Sequence, residues 1–181
     1  MQPLFATIIR QVRQLALAAG VLGFVAATQV EAQSVRIVAL GASNTNGKGV
    51  ERSQAYPAQL QALLKQRGVN AIAINAGING DTTGGMLARL ASAVPPGTRI
   101  VILQPGGNDR RRGVGAERSG NIAKIRSQLT ARGVRVIMME NSMLQSLPPG
   151  ERASDGQHFT PRGYAILAQR ILPQVLSALG R

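Results

Sequence analysis

The sequence predicts an α/β fold: three layers, α/β/α, in which a parallel sheet of four to five strands carries helices on both faces. Three observations lead there. Short runs rich in Val and Ile alternate with segments whose apolar residues recur at helical spacing, and such alternation builds parallel sheets from strand–helix–strand units. The strand-like runs are apolar at successive positions, as strands covered on both faces are. Each run also opens into a loop of glycine and small polar residues, and in open parallel sheets the ligand site lies beyond the carboxyl ends of the strands.

The elements follow in order. "VRIVAL" (35–40) is a β-branched run stopped by glycine. "AYPAQLQALLKQRG" (55–68) has helical spacing, with Pro57 tolerated in the first turn and Gly68 as the stop. "NAIAINAG" (70–77) is a second strand, and "TTGGMLARLASAV" (82–94) a second helix opened by threonine. "RIVILQPGG" (99–107) is the third strand, "AERSGNIAKIRSQLTARG" (116–133) the third helix and "VRVIMME" (134–140) the fourth strand. The chain closes on a helix over 160–179, with Thr160 before Pro161 as its N-cap and Pro173 expected to kink or interrupt it. There is no internal repeat and no second domain.

The first 32 residues read as a secretory leader: Arg10 and Arg13, then an apolar stretch over 15–28 shorter than the roughly 20 residues a spanning helix needs, then small residues flanking Glu31. Removing it leaves 149 residues, enough for one domain with its own core. The expected location is therefore periplasmic or secreted. Cysteine is absent, so disulfides neither stabilise the domain nor report on its compartment. The whole chain carries a net charge of +13. Such a field attracts anions, including an anionic membrane surface. The basic residues are mostly arginines scattered along the chain, so the charge speaks of steering rather than of a nucleic-acid partner.

Chemistry belongs in the loops after the strands. Ser43 follows the first strand directly. Gly80 and Asn108 lie in the next two loops, where a backbone N–H and a side-chain amide can together bind an oxyanion. His158 is the only histidine of the chain and can take a proton from Ser43; Asp155, three residues earlier, can orient the imidazole and stabilise its charged form. "NTNGKG" (44–49) lacks the spacing of a phosphate-binding loop. "DRRRG" (109–113) reads as a solvated loop in preference to a cationic rim for anionic substrates.

These blocks resemble those of the SGNH (GDSL-type) hydrolases, in the right order and over the whole domain. The serine block, GDS in the family, is "GAS" (41–43); the glycine block is matched by "NAGINGDT"; "GGND" matches the asparagine block; Asp155 and His158 match the final DxxH. The glycine and asparagine blocks are similar to those of the bacterial thioesterase, lysophospholipase and arylesterase branch. The resemblance implies a flavodoxin-like fold and hydrolysis of an ester or thioester of short to medium acyl chain through an acyl-enzyme. Ser43 would be the nucleophile, His158 the base and Asp155 its partner. The Ser43 and Gly80 N–H groups and the Asn108 amide would be the oxyanion hole. A small-molecule ester or lipid would be the substrate; no metal or organic cofactor is implied.

Two departures stand out. The aspartate of GDS, which helps order the serine loop, is Ala42 here. Only 14 residues (141–154) join the fourth strand to Asp155, where the family usually fits a further helix and strand. The expected consequences are a reduced sheet and a more open groove on that side. Two rival readings follow: an acyltransferase or deacetylase acting on a sugar, and a non-catalytic binding protein.

Overall fold

The computed structural model describes residues 34–181; the leader expected over residues 1–32 lies outside them. The four strands are β1 (Val35–Gly41), β2 (Ala71–Gly77), β3 (Thr98–Gln104) and β4 (Arg135–Met138). They form one parallel sheet in the order β2-β1-β3-β4. The order reverses at β1, so the chain winds outward in both directions and the crevice beyond β1 and β3 is the natural place for a site.

Side chains alternate across a strand, and here both sets are buried. Ile37, Ala39, Ile100 and Ile102 face a layer made by α2 (Tyr56–Gln66) and α8 (Pro161–Ala178), whose inward residues include Leu60, Leu64, Leu167 and Ile171. Val38, Leu40, Val101 and Leu103 face the opposite layer, where Met86, Leu90, Ile125 and Leu129 lie. Those four residues come from α3 (Thr83–Ala88), α4 (Leu90–Ala93) and α6 (Arg118–Ala131). Two buried faces explain why β1 and β3 read as unbroken apolar runs; the edge strand β2 is only half-buried, with Ile72 exposed.

The helix expected over 82–94 is two helices, α3 and α4, meeting at Arg89. The Arg89 guanidinium reaches Asp81 and the carbonyls of Gly41 and Ala76, tying the break to the ends of β1 and β2. Pro173, expected to kink or interrupt the last helix, lies within an uninterrupted α8. The carbonyl deprived of a donor belongs to Gln169, which like Pro173 is exposed and has water within reach, while Ile171, Leu172 and Val175 hold the inner face in the core. Thr160 caps α8 as expected, its hydroxyl accepting from the N–H of Gly163. No fifth strand joins the sheet among the described residues. The short connection after β4 is instead α7 (Asn141–Gln145), a 3-10 turn at Pro149–Glu151 and one antiparallel bridge between Arg152 and Phe159. No helix of the described residues is long and apolar enough to cross a membrane.

Candidate active site

Ser43 opens α1 (Ser43–Asn46), a single helical turn at the end of β1. That turn fits only because its neighbours are glycines. A Cβ on Gly41 would lie 2.2 Å from Thr45 Oγ1, and one on Gly77 would lie 2.2 Å from the backbone nitrogen of Asn46. Ala42 precedes the serine with its own N–H donated to Gln104 Oε1 at 3.3 Å, and the Thr45 hydroxyl donates to the same oxygen at 3.2 Å. Gln104, the last residue of β3 and almost fully buried, thus grips both ends of the serine turn.

The asparagine block opens α5 (Asn108–Arg111). The Asn108 amide donates to the carbonyl of Asp81 at 2.8 Å, and its oxygen accepts from Arg111 Nη1 at 3.2 Å. An amide nitrogen carries two protons, so one remains for a ligand in the cavity that Asn108 lines. Asp109 is fully buried and accepts from the backbone N–H (3.1 Å) and hydroxyl (2.5 Å) of Thr83 at the start of α3. It locks the asparagine block to the glycine block. Gly80 sits in a tight turn closed by the Asp81 N–H on the Ile78 carbonyl, with φ of 76°. It is not among the residues lining the cavity and connects to Asn108 through the Asp81 carbonyl.

His158 arrives from the other end of the domain, 115 residues from Ser43 in sequence. Its Nε2 lies 2.8 Å from Ser43 Oγ, and its Nδ1 bonds Asp155 Oδ2. Asp155 Oδ1 meanwhile accepts the backbone N–H groups of Gln157 and His158, each at 2.9 Å. One carboxylate therefore folds the loop and orients the ring. The His158 side-chain bond, followed by these two backbone bonds, holds the Asp155 carboxyl well below the usual carboxylate range. The imidazole is buried while the Asp155 side chain keeps 43% of its exposure.

Ser43, Asn108 and His158 all line one small cavity of about 80 Å³; Asp155 stands behind the imidazole and Gly80 outside the lining. Among the described residues no three His, Cys, Asp or Glu side chains gather as metal ligands. The 109–113 loop is exposed as expected except at Asp109, which is buried; the exposed Arg111 also borders the cavity. Gln104 is a lining residue that sequence reasoning missed, and Arg111 one it passed over in preferring a solvated loop to a cationic rim. Arg111 had a signal, its place in the loop after the asparagine; Gln104 had none beyond its position at the end of a strand.

A parallel doubly wound sheet with serine, histidine and carboxylate aligned beyond its strand ends is an architecture of serine hydrolases. The chain belongs to the GDSL-like Lipase/Acylhydrolase family, which it matches over residues 39–172. It is 34% identical over 125 residues to the Esterase TesA of Pseudomonas aeruginosa, covering 68% of this chain and 62% of that protein. It is 32% identical over 126 residues to an Arylesterase of Vibrio mimicus, covering 67% and 61%. These matches span about three fifths of each relative's length. Among solved structures, a TesA crystal structure superposes with a TM-score of 0.69 at 24% identity, covering 79% of this chain and 99% of that one, a likeness of fold. AlinE4, a SGNH-hydrolase family esterase, superposes with a TM-score of 0.54 at 31% identity, covering 80% and 72%.

Proposed function

We propose that the chain is a serine ester hydrolase acting through Ser43, His158 and Asp155. The observation that carries this is the alignment of Ser43 Oγ, the two ring nitrogens of His158 and Asp155 Oδ2 in one hydrogen-bonded line. The Ser43 hydroxyl donates to Nε2, so its proton passes to the imidazole as Oγ attacks the ester carbonyl carbon. Asp155, ionised and already bonded to Nδ1, stabilises the imidazolium. The tetrahedral oxyanion takes hydrogen bonds from the free amide proton of Asn108 and from the Ser43 N–H; the Gly80 N–H, outside the cavity lining, is the third donor only as the family resemblance implies it. Ser43, first in its helical turn, has no intrahelical carbonyl for its N–H. As the intermediate collapses the alcohol leaves with the proton from His158. Water, deprotonated by the same ring, then cleaves the acyl-serine.

The small cavity favours a short acyl group over a long one. Thioesters are open to the same mechanism. Export to the periplasm or beyond belongs to this reading on the strength of the leader pattern over residues 1–32, and is checked by the N-terminal residue of the protein recovered from cells.

The test is covalent labelling with a fluorophosphonate followed by peptide mapping. Modification of Ser43, lost in His158→Ala, is the expected result. Ser43→Ala should lower ester hydrolysis by several orders of magnitude, roughly what removing a triad nucleophile costs. Unimpaired hydrolysis by Ser43→Ala would overturn the assignment.

A further inference from the structure

The lining of the catalytic cavity holds one cation and no carboxylate. Arg111 supplies the guanidinium; the amides of Asn44, Gln104, Asn108, Asn141 and Gln157 supply most of the rest. Arg111 enters no ion pair among the described residues, and the acids nearest it along the chain and in the site are committed elsewhere. Asp109 is buried on Thr83, Asp81 is paired with Arg89 at 2.8 Å, and Asp155 is bonded to His158. Arg111 itself spends one N–H on Asn108 Oδ1 at 3.2 Å, and a guanidinium has five. That bond sets the guanidinium directly beside the amide proposed to hold the oxyanion.

We propose that Arg111 is a specificity residue and that the preferred substrate is a small ester bearing a carboxylate close to the scissile bond; this rests on the hydrolase reading above. A planar guanidinium binds a carboxylate through two parallel N–H bonds. A lining of neutral amides can satisfy further oxygens without opposing the charge. With only Ala42 and Leu144 as apolar side chains among the lining residues, the cavity offers little to a long hydrocarbon chain. The net charge of +13 attracts any anion, but a diffuse field does not distinguish Arg111 from other arginines, and a direct contact does.

The experiment compares kcat/KM for two matched ester pairs. 4-Acetoxybenzoate and its methyl ester differ by a carboxylate on the leaving group; phenyl hydrogen adipate and phenyl hexanoate differ by one on the acyl chain. The wild-type protein should prefer the charged member of at least one pair. Arg111→Met should reduce that preference at least tenfold, chiefly through KM, with Arg111→Lys in between, as loss of a charge-assisted contact predicts. Arg126→Met, on the exposed side of α6, removes the same charge and should leave the preference within twofold. Absence of preference in both pairs, its survival in Arg111→Met, or equal loss in both methionine variants would overturn the proposal while leaving the hydrolase intact. No turnover of any of the four esters and no label on Ser43 would instead sink the hydrolase reading itself.

Discussion

The two halves of the site are held by different means. On one side Ser43, the proposed nucleophile, is fixed by the sheet. β1 delivers it, glycines 41 and 77 let the turn press against β1 and β2, and one buried glutamine from β3 binds both ends of that turn. On the side of His158, the proposed base, no strand of the sheet is present. The loop carrying Asp155 and His158 hangs between α7 and α8; the backbone bridge of Arg152 with Phe159 closes it, and side chains hold it to its surroundings. Arg152 donates to the carbonyls of Leu144, Gln145 and Gly156 and lies 5.4 Å over the Phe159 ring. Arg170 donates to Met143 and Ser146, and Glu151 joins Thr160 to Arg162. Outside that bridge, arginines bonded to backbone carbonyls hold this segment in place. Catalytic geometry needs the same precision on both sides, so the side-chain-held half should be the more easily loosened.

The largest effect on that comparison is expected from Asp155→Asn. The asparagine can keep the loop's backbone bonds through its oxygen but cannot stabilise an imidazolium. Turnover should fall by on the order of 10⁴, as removal of a triad carboxylate does elsewhere. Stability has its own signature. The folded-state Asp155 carboxyl is held below its ordinary value, so its ionised form stabilises the fold above the unfolded pKa of about 4. That contribution fades as pH falls through the depressed value. The gap between wild type and Asp155→Asn in denaturant midpoint should thus be constant near neutrality and narrow below about pH 4. A gap that widens there would mean the carboxylate strains the loop rather than holding it.

The fold was legible because its cause is local. A strand buried on both faces must be apolar at every position, and Ile37 to Leu40 are. The contact between Asp155 and His158 was legible for a similar reason: they form a short turn in which three residues' spacing decides it, whereas the meeting of His158 with Ser43 spans 115 residues and was expected only from the resemblance. What escaped reading was set by distant neighbours. Nothing in "RIVILQPGG" tells that Gln104 will bind Ala42 and Thr45 some sixty residues away, and so nothing in the sequence shows what orders a serine turn that lacks the family's aspartate. The arginines escaped likewise. Several of them close on carbonyls that end an element or lie beside one, Arg36 on Pro96, Arg132 on Val94 and Arg135 on Ala178. Their charge reads as a field in sequence and as a set of caps in the fold.

Gln104 tests the sheet-held half. In Gln104→Met the Ala42 N–H and the Thr45 hydroxyl lose their acceptor in a buried place, a cost of about 1–3 kcal/mol, read as a lower urea midpoint with unchanged slope. If the glutamine does the work of the missing aspartate, kcat should fall while KM for a neutral ester stays, because the nucleophile is misplaced and the binding surface is not. Gln104→Glu sharpens the point. It keeps both acceptor bonds through a carboxylate oxygen and should recover more of kcat than methionine does. A glutamate variant no better than methionine would show that volume, not the acceptor, matters at this position.

Arg152→Met should have the smallest effect and the most telling distribution. The bonds it removes are long, 3.3 to 3.5 Å, and partly exposed, so carbonyls it abandons can turn to water and the cost should be only about 1 kcal/mol. Methionine keeps contact with Phe159, so packing alone changes little. The effect should fall on the loop instead. Amide hydrogen exchange is expected to quicken over residues 152–158 and not over β1 or α1, and kcat to drop severalfold as His158 wanders from Ser43. Exchange that quickens equally in α1 would mean that the two halves are one cooperative unit, with Arg152 stabilising the whole domain rather than the base alone.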